Sequence, residues 1–248
     1  MVLYKKDIEL NFSDDEKFEF LELKEEYKDR DIAISLLKDK FSFLSELKSK
    51  KHMSVYKWYE DIKNSSENTV ETFMFFDTET SHLNGFIVSI AVIKTDKDFN
   101  VLDKFYIEMN PGVEIDPEAI EVHKITNEMV KDLPGFNSFK DKIRESIESS
   151  DVIIAQNAIY DIGVIVREFE RAGEIFPEIN YLDTMNAFKN QVTFTGKKKN
   201  PSLEEAATAF GVNIKDVQLH NAMDDTEIML KTFILAANKE ESSLIDNK

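Results

Sequence analysis

Two acidic side chains lie two positions apart at the end of an apolar run. Asp77 and Glu79 lie in FFDTETSHL, residues 75–83, and follow the four apolar residues 73–76. Alternate residues of a β-strand point to the same face, so a strand that ends here would direct both carboxylates into one cleft. Carboxylates are the ligands that hard divalent cations prefer, and such a cleft would make half of a metal site. A DxE pair often arises by chance among 48 acidic residues, and a solvated strand end is the alternative.

A second pair of polar side chains follows a later apolar strand. In AQNAIYDIGVI, residues 155–165, Asn157 and Asp161 are four positions apart at the start of a predicted helix, so both would face one side of it. One interpretation is a functional pair. The alternative is structural: Asn157 would cap the helix, and Asp161 in the first turn would interact favourably with the helix dipole.

The third group lies near the C-terminus, in LHNAMDDTEIML, residues 219–230. Asp225 falls in the first turn of a predicted helix, and His220 lies five residues earlier, in the preceding loop. Five residues apart on one helix would point the two side chains away from each other, whereas a loop histidine can converge with Asp225 on one point. The alternative for His220 is an ordinary hydrogen-bonded loop histidine.

Together the three groups resemble the motifs of the DnaQ-like, or DEDD-family, 3′ to 5′ exonucleases, in the subclass with a catalytic histidine. FDTET resembles the first motif, NAIYD the second and HNAMDD the third, and the resemblance covers roughly residues 71–238. The tyrosine subclass has a tyrosine four residues before the last aspartate, where this chain has Asn221. The segment 110–130 is similar to one in proofreading members related to the polymerase III epsilon subunit.

The resemblance implies a ribonuclease H-like fold and a two-metal site. Asp77, Glu79, Asp161 and Asp225 would hold two Mg²⁺ or Mn²⁺ ions, which can activate a water and stabilise the leaving 3′ oxygen of a phosphodiester. His220, with an unperturbed pKa of about 6.5, would be the general base that takes the proton of that water. Crowded carboxylates repel one another, so we expect the site to be less stable without metal.

The resemblance also implies which residues meet the terminal nucleotide. In the family, residues just after the first motif contact it, so Thr80 and Leu83 are expected to bind substrate, with Leu83 as an apolar surface for the last base. Asn157 is expected to orient the nucleotide or to have a structural role. Family members often read TTGL where this chain reads TSHL, so His82 replaces a glycine. That replacement leaves the shape of the turn open.

Composition limits the class of protein. The 248 residues are 42% hydrophobic, with no Cys and no run of 18 apolar residues, which predicts a globular cytoplasmic protein without disulfides or a membrane span. The net charge of −17 argues against a nucleic-acid partner, because phosphate binding draws on Lys and Arg. Bound divalent cations weaken that objection, since they present positive charge to a phosphate.

These side chains need a sheet with helices packed on it. Three successive apolar segments with short links predict an antiparallel start of a mixed α/β sheet. The predicted strands lie at 72–77, 86–95, 101–109, 151–156 and INYLD, and the predicted helices at about 136–149, 158–172, 202–210 and 222–238.

The chain ahead of this sheet has a different pattern. Residues before about 62 show the three and four spacing of helix faces, and the second helix there would carry Trp58. The polar stretch KNSSENT, residues 63–69, is the best candidate for a boundary. We therefore expect a helical N-terminal region at 1–66, an exonuclease domain at 67–240 and a disordered tail at 241–248.

The resulting hypothesis is a metal-dependent exonuclease that removes nucleotides from the 3′ ends of DNA, single-stranded or frayed. Two alternatives stay open. An exoribonuclease would use the same five residues, and the contact that discriminates the two sugars, to the 2′ hydroxyl, has no assignable residue in the sequence. The N-terminal helices could instead dock a polymerase, a helicase or another replication or repair protein, or simply pack on the domain.

Overall fold

The computed structural model describes residues 54–64, 70–83, 85–177, 179–191, 200–215, 217 and 219–239. The helix predicted before residue 54, the stretch 65–69 of the predicted boundary and the predicted tail at 241–248 lie outside the described residues. Among the helices of the described ranges, none is long and apolar enough to cross a membrane.

The described residues contain a five-stranded sheet. Its strands are β1 (Thr72–Thr80), β2 (Ile87–Asp96), β3 (Val101–Glu108), β4 (Val152–Ala155) and β5 (Tyr181–Asp183). Their order is β3-β2-β1-β4-β5. β2 lies antiparallel to both β1 and β3, whereas β4 is parallel to β1 and β5 is parallel to β4. The predicted mixed sheet with an antiparallel start is therefore confirmed.

Helices flank this sheet. They are α1 (Val55–Asn64), α2 (Pro117–His123), α3 (Asn127–Val130), α4 (Lys140–Glu148), α5 (Ala158–Arg171), α6 (Thr184–Gln191), α7 (Leu203–Phe210) and α8 (Ala222–Ala237). The sequence predicts α1, α4, α5, α7 and α8 but not the other three. α2 and α3 are too short to show a helical period, and α6, TMNAFKNQ, has few apolar residues to show one.

The main core lies between the sheet and α8. Phe75 of β1 packs edge-to-face against Phe233 of α8, with ring centroids 5.2 Å apart. α1 packs into the same core, where the centroid of the Trp58 ring lies 5.6 Å from that of Phe73 and 5.8 Å from that of Phe233. α1 is therefore part of the core that the sheet builds.

The chain divides into two compact units, Met1–Lys50 and Lys51–Lys248. α1 belongs to the second unit, together with the sheet. The boundary predicted between residues 66 and 67 lies after α1, so the predicted N-terminal region overlaps the unit that contains the sheet.

Alternation along β1 gives its C-terminal end two different faces. Phe75 faces α8, so Asp77 and Glu79 lie on that same side of the sheet. Thr78 and Thr80 alternate with them and point to the opposite side, which α5 covers. The strand runs on to Thr80, so both acids lie within β1 and not after it.

Candidate active site

β1 and α8 bring three carboxylates together. Oxygens of Asp77, Glu79 and Asp225 all lie within 4.8 Å of one another, and the three side chains are half-buried. Ala91 and Ser89 of β2 are the cross-strand partners of the two β1 acids, and their small side chains leave room beside the cluster. The structure therefore brings together the acids of the first and third sequence groups.

The start of α8 fixes Asp225 and ties it to His220. Asn221 is the N-cap of α8, and its side-chain oxygen accepts hydrogen bonds from the backbone N–H groups of Met223 and Asp224 at 3.1 and 3.2 Å. The backbone N–H of His220 donates to Asp225 Oδ2 at 3.1 Å. His220 has a left-handed backbone (φ 63°) and is exposed. The two residues are thus joined through the backbone of His220, which leaves its ring free of that bond.

Asp161 lies in the first turn of α5, as predicted, and contacts β1 through Thr78. The residue is 3% exposed, and its Oδ1 accepts hydrogen bonds from the Thr78 N–H at 3.1 Å and the Thr78 hydroxyl at 2.6 Å. Asp161 lies outside the group of oxygens within 4.8 Å. Its charge still reaches that group: burial raises the pKa of Asp77 well above its usual range, and Asp161 is the next cause.

The acids of the cluster hold their protons more tightly than exposed carboxyl groups do. Burial raises the pKa of Glu79 to about 8, with further contributions from Asp225 and Asp161. Burial likewise raises the pKa of Asp161 to about 7 and that of Asp225 to about 6, although hydrogen bonds from Thr78 and His220 act in the opposite direction. Burial therefore disfavours the charged forms of these acids when no cation is present, and at Glu79 the neighbouring carboxylates add to the effect.

This set of ligand atoms fits a divalent cation. Oδ1 of Asp225 is buried and has no hydrogen-bond partner among the described residues, so the cluster contains an oxygen without a donor. Carboxylate oxygens are hard ligands, and a cation would favour their charged forms, which burial and neighbouring charges disfavour. The three clustered carboxylates could therefore hold a divalent metal ion.

The model of the RNase_T family, described as an exonuclease, matches residues 74–233, which include all the acids above. This chain belongs to that exonuclease family. The exonuclease is similar to DNA polymerase III subunit epsilon of Buchnera aphidicola subsp. Acyrthosiphon pisum, with 27% identity over 180 residues that cover 71% of this chain and 74% of the relative. It is a 3′ to 5′ exonuclease, as the sequence predicts.

Solved structures share the fold of the exonuclease. Exonuclease X in complex with 5′ overhanging duplex DNA has a TM-score of 0.51 at 23% identity, over 67% of this chain and 91% of that one. The nuclease domain of 3′hExo, a DEDDh family member bound to rAMP, has a TM-score of 0.56 at 11% identity, over 68% of this chain and 92% of that one. These likenesses confirm the expected ribonuclease H-like fold.

Asn157 precedes α5 and takes a left-handed conformation (φ 61°, ψ 48°). Its side chain is exposed and makes no capping hydrogen bond, so the interpretation of Asn157 as a side-chain cap is wrong. The backbone N–H groups of Asn157 and Met185 both donate to Asp183 Oδ1, at 3.1 and 3.0 Å. Asp183, the last residue of β5, thus joins the start of α5 to the start of α6.

The turn after β1 carries Leu83, which is 80% exposed. Ser81 N–H donates to the Phe86 carbonyl at 2.9 Å, and Gly85 N–H donates to the His82 carbonyl at 2.7 Å. These two bonds close a short turn between β1 and β2. The structure therefore places Leu83 at the exposed end of a hydrogen-bonded turn.

Gly85 explains how this turn accommodates His82. A Cβ atom at position 85 would lie 2.5 Å from Ser81 Oγ and 2.7 Å from the His82 backbone nitrogen, so a side chain has no room there. The Ser81 hydroxyl accepts from the Phe86 N–H at 3.1 Å and lies 3.1 Å from His82 Nδ1. The turn needs its glycine at position 85, and position 82 tolerates a side chain.

Thr80 ends β1 and is 8% exposed. Its hydroxyl contacts the His82 carbonyl at 2.9 Å and the Tyr160 hydroxyl at 2.8 Å. Sequence reasoning missed the partners Thr78, Tyr160 and Asp183. The available signal was the alternation of threonines with the acids in FDTET, which implies a second, uncharged face on the same strand.

Proposed function

We propose that this exonuclease removes nucleotides from the 3′ ends of DNA, single-stranded or frayed, by metal-dependent hydrolysis of phosphodiesters. The observation that carries the proposal is the convergence of Asp77, Glu79 and Asp225 within 4.8 Å on the same sheet face. Such a group of hard oxygen ligands suits cations that stabilise the charge of a phosphoryl transition state.

The proposed cofactors are two Mg²⁺ or Mn²⁺ ions held by Asp77, Glu79, Asp161 and Asp225. When bound, the ions would activate the attacking water and neutralise the charge on the leaving 3′ oxygen. Asp161 accepts from Thr78 through one oxygen, and its second oxygen is the proposed ligand of a cation. The raised pKa values of Glu79, Asp161 and Asp225 support this assignment, because burial disfavours their charged forms and a bound cation would favour those forms.

His220 is proposed as the general base. The hydrogen bond from its backbone N–H to Asp225 Oδ2 holds the backbone of His220 beside the acid cluster. The residue is exposed, so its ring is accessible to water and substrate. A neutral imidazole can accept a proton near neutral pH. His220 therefore has the chemistry and the attachment point that the role requires.

Thr80, Leu83 and Asn157 are proposed to position the terminal nucleotide. Leu83 supports this role because an apolar side chain that is 80% exposed beside the acid-bearing strand offers a surface on which a base can pack. Asn157 is exposed at the start of the helix that carries Asp161. Thr80 directly follows Glu79 and would contribute through the backbone it holds in place.

DNA is proposed as the preferred substrate because the epsilon relative is named as a DNA polymerase subunit. The same name supports a polymerase, or another replication or repair protein, as a partner of residues 1–66, and a cytoplasmic location. α1 is occupied by contacts with the core, so a docking segment would lie before it. Cations at the site would offset part of the −17 net charge where a phosphate approaches.

The test is digestion of matched 5′-labelled single-stranded DNA and RNA with Mg²⁺, Mn²⁺ or EDTA. We compare the wild type with Asp77→Asn, which removes one cluster ligand, and with Asp141→Asn, which removes the same charge from an exposed position of α4. We expect a metal-dependent ladder that shortens from the 3′ end for the wild type and Asp141→Asn, and no ladder for Asp77→Asn.

The outcomes separate the parts of the proposal. Faster digestion of RNA than DNA would overturn the substrate and favour an exoribonuclease. Equal activity of Asp77→Asn and Asp141→Asn would overturn the site. If neither substrate is digested, the result would favour a docking role of residues 1–66 instead.

A further inference from the structure

One hydrogen-bonded chain links α5 to the turn that carries Leu83. The Thr80 hydroxyl lies 2.9 Å from the His82 carbonyl and 2.8 Å from the Tyr160 hydroxyl. A threonine hydroxyl has a single hydrogen, and a carbonyl can only accept, so Thr80 donates to His82. Tyr160 must then be the donor to Thr80. The direction of the chain is therefore fixed: Tyr160 to Thr80 to the backbone of the turn.

Tyr160 directly precedes Asp161, so both lie in the first turn of α5. The two residues reach alternate positions of the same strand: Asp161 accepts from Thr78, and Tyr160 donates to Thr80. The first turn of α5 is thus fastened twice to the uncharged face of β1. The first turn of α5 therefore contacts β1 through Asp161, a proposed metal ligand, and through Tyr160, which leads to the turn proposed to hold the 3′ nucleotide.

Leu83 contributes little to holding this turn on the rest of the domain. That side chain is 80% exposed, so it packs little against the protein. Backbone bonds close the turn internally, and the Asp116 N–H donates to the Ser81 carbonyl at 2.8 Å from the side of α2. On the side of α5, the Tyr160 hydroxyl reaches the turn through Thr80. Further along α5, Glu168 Oε1 accepts from the Ile87 N–H at 2.9 Å, and the Arg171 guanidinium lies 3.9 Å from the centroid of the Phe86 ring. Of these three contacts, the one made by Tyr160 lies next to Asp161.

We propose that Tyr160 is a positioning residue that sets Ser81, His82 and Leu83 relative to Asp161. It acts through Thr80 and does not touch the substrate. Its hydroxyl holds the turn in the orientation that the terminal nucleotide requires, so binding of the 3′ end costs less ordering of the protein. This inference rests on the proposed exonuclease function.

The test is Tyr160→Phe, which removes one oxygen and keeps the ring. We expect KM for a single-stranded DNA 3′ end to rise roughly three- to tenfold, the loss typical of one hydrogen bond, with kcat within about twofold. The matched control is Tyr59→Phe in α1, whose hydroxyl donates to the Lys97 carbonyl at 2.9 Å away from the acid cluster. The control should leave KM unchanged even if it lowers the melting temperature equally.

A double-mutant cycle with Thr80→Val separates positioning from a general loss of stability. If Tyr160 acts through Thr80, adding Tyr160→Phe to Thr80→Val should raise KM by less than about twofold further. Additive effects on KM, or an unchanged KM in Tyr160→Phe, would overturn the positioning role while leaving the proposed function intact. A wild type without nuclease activity would overturn the proposed function itself, and the inference with it.

Discussion

The two faces of the last four residues of β1 contrast in chemistry although the residues alternate along one strand. Asp77 and Glu79 point to the side of α8 and meet Asp225, with raised pKa values and a buried carboxylate oxygen that lacks a donor. Thr78 and Thr80 point to the side of α5, and their hydroxyls have partners at 2.6 to 2.9 Å.

The acid face of β1 can bind a cation, whereas the threonine face holds the end of the strand in place. Repulsion among acids on one face lowers the stability of the folded chain without a ligand. Satisfied neutral hydrogen bonds on the other face keep the strand end in place. A functional site needs both, because ligands must be held in position before a cation arrives.

The strongest way to break the contrast is to remove an acid. Asp77→Asn should lower the rate of 3′-end cleavage on the order of a thousandfold or more, because losing several kcal/mol of charge stabilisation costs a factor of ten per 1.4 kcal/mol. Single-turnover cleavage of labelled DNA measures it. A decrease of less than about tenfold would show that Asp77 is not a metal ligand.

The histidine beside the acids should have the next largest effect. His220→Ala should lower the rate at pH 7 by about a hundredfold, the usual contribution of a general base, and leave Mn²⁺ affinity unchanged. Calorimetric titration with Mn²⁺ checks the second part. An unchanged rate at neutral pH would contradict the assignment of His220 as the base.

Titration of the acid face should appear in the stability of the metal-free protein. Glu79, Asp161 and Asp225 have pKa values raised to about 8, 7 and 6, above the values of 4.5, 3.8 and 3.8 in an unfolded chain. Between those values the folded state binds more protons, so the free energy of unfolding decreases as pH rises from about 4 to 8. The stability that these three protonated carboxyl groups contribute is fully present below about pH 4. It is lost as the pH rises through their raised pKa values of about 6, 7 and 8.

Melting curves in EDTA and in Mg²⁺ test this dependence. We expect the melting temperature in EDTA to fall by about 5 °C or more between pH 5 and 8, and Mg²⁺ to remove most of the fall. Glu79→Gln should flatten the EDTA curve. Parallel curves with and without Mg²⁺ would show that no cation binds the cluster.

The smallest effect should come from the uncharged face. Thr78→Val removes the hydroxyl that donates to Asp161 at 2.6 Å, and Thr72→Val removes a similar bond to Asp151 at 2.8 Å, at the other end of β1. Each should destabilise the fold by about 1 kcal/mol. Only Thr78→Val should also weaken Mn²⁺ binding, by a fewfold. Equal Mn²⁺ affinity in both variants would separate Asp161 from the metal site.

The acid face was accessible from the sequence, because residue type and a spacing of two are enough to place Asp77 and Glu79 on one side of a strand. The threonine face was not. The bond from Thr78 to Asp161 joins residues 83 positions apart, and it depends on how α5 packs against β1. Asn157 takes the N-cap position of α5 with a left-handed backbone, but its side chain makes no capping hydrogen bond, so the side-chain cap considered from the sequence is wrong.

Helix packing marks a second limit of the sequence. The pattern of residues before about 62 predicts a helix that carries Trp58, but it does not predict what that helix packs against. A polar segment after that helix favoured a boundary at 66/67, yet Trp58 fits between two phenylalanines of the sheet and α8. Amphipathic spacing tells which face of a helix is buried and gives no information on what buries it.

The packing of α1 has a practical consequence for how this nuclease can be shortened. A recombinant fragment starting at residue 67 would lack Val55, Trp58 and Tyr59, and would expose aromatic rings of the sheet to solvent. It would also lose the hydrogen bond that the Tyr56 N–H donates to Gln191 Oε1 at 3.2 Å. A fragment starting at Lys51 keeps all of these contacts. We expect it to be expressed in higher yield and to crystallise more readily than the fragment that starts at residue 67.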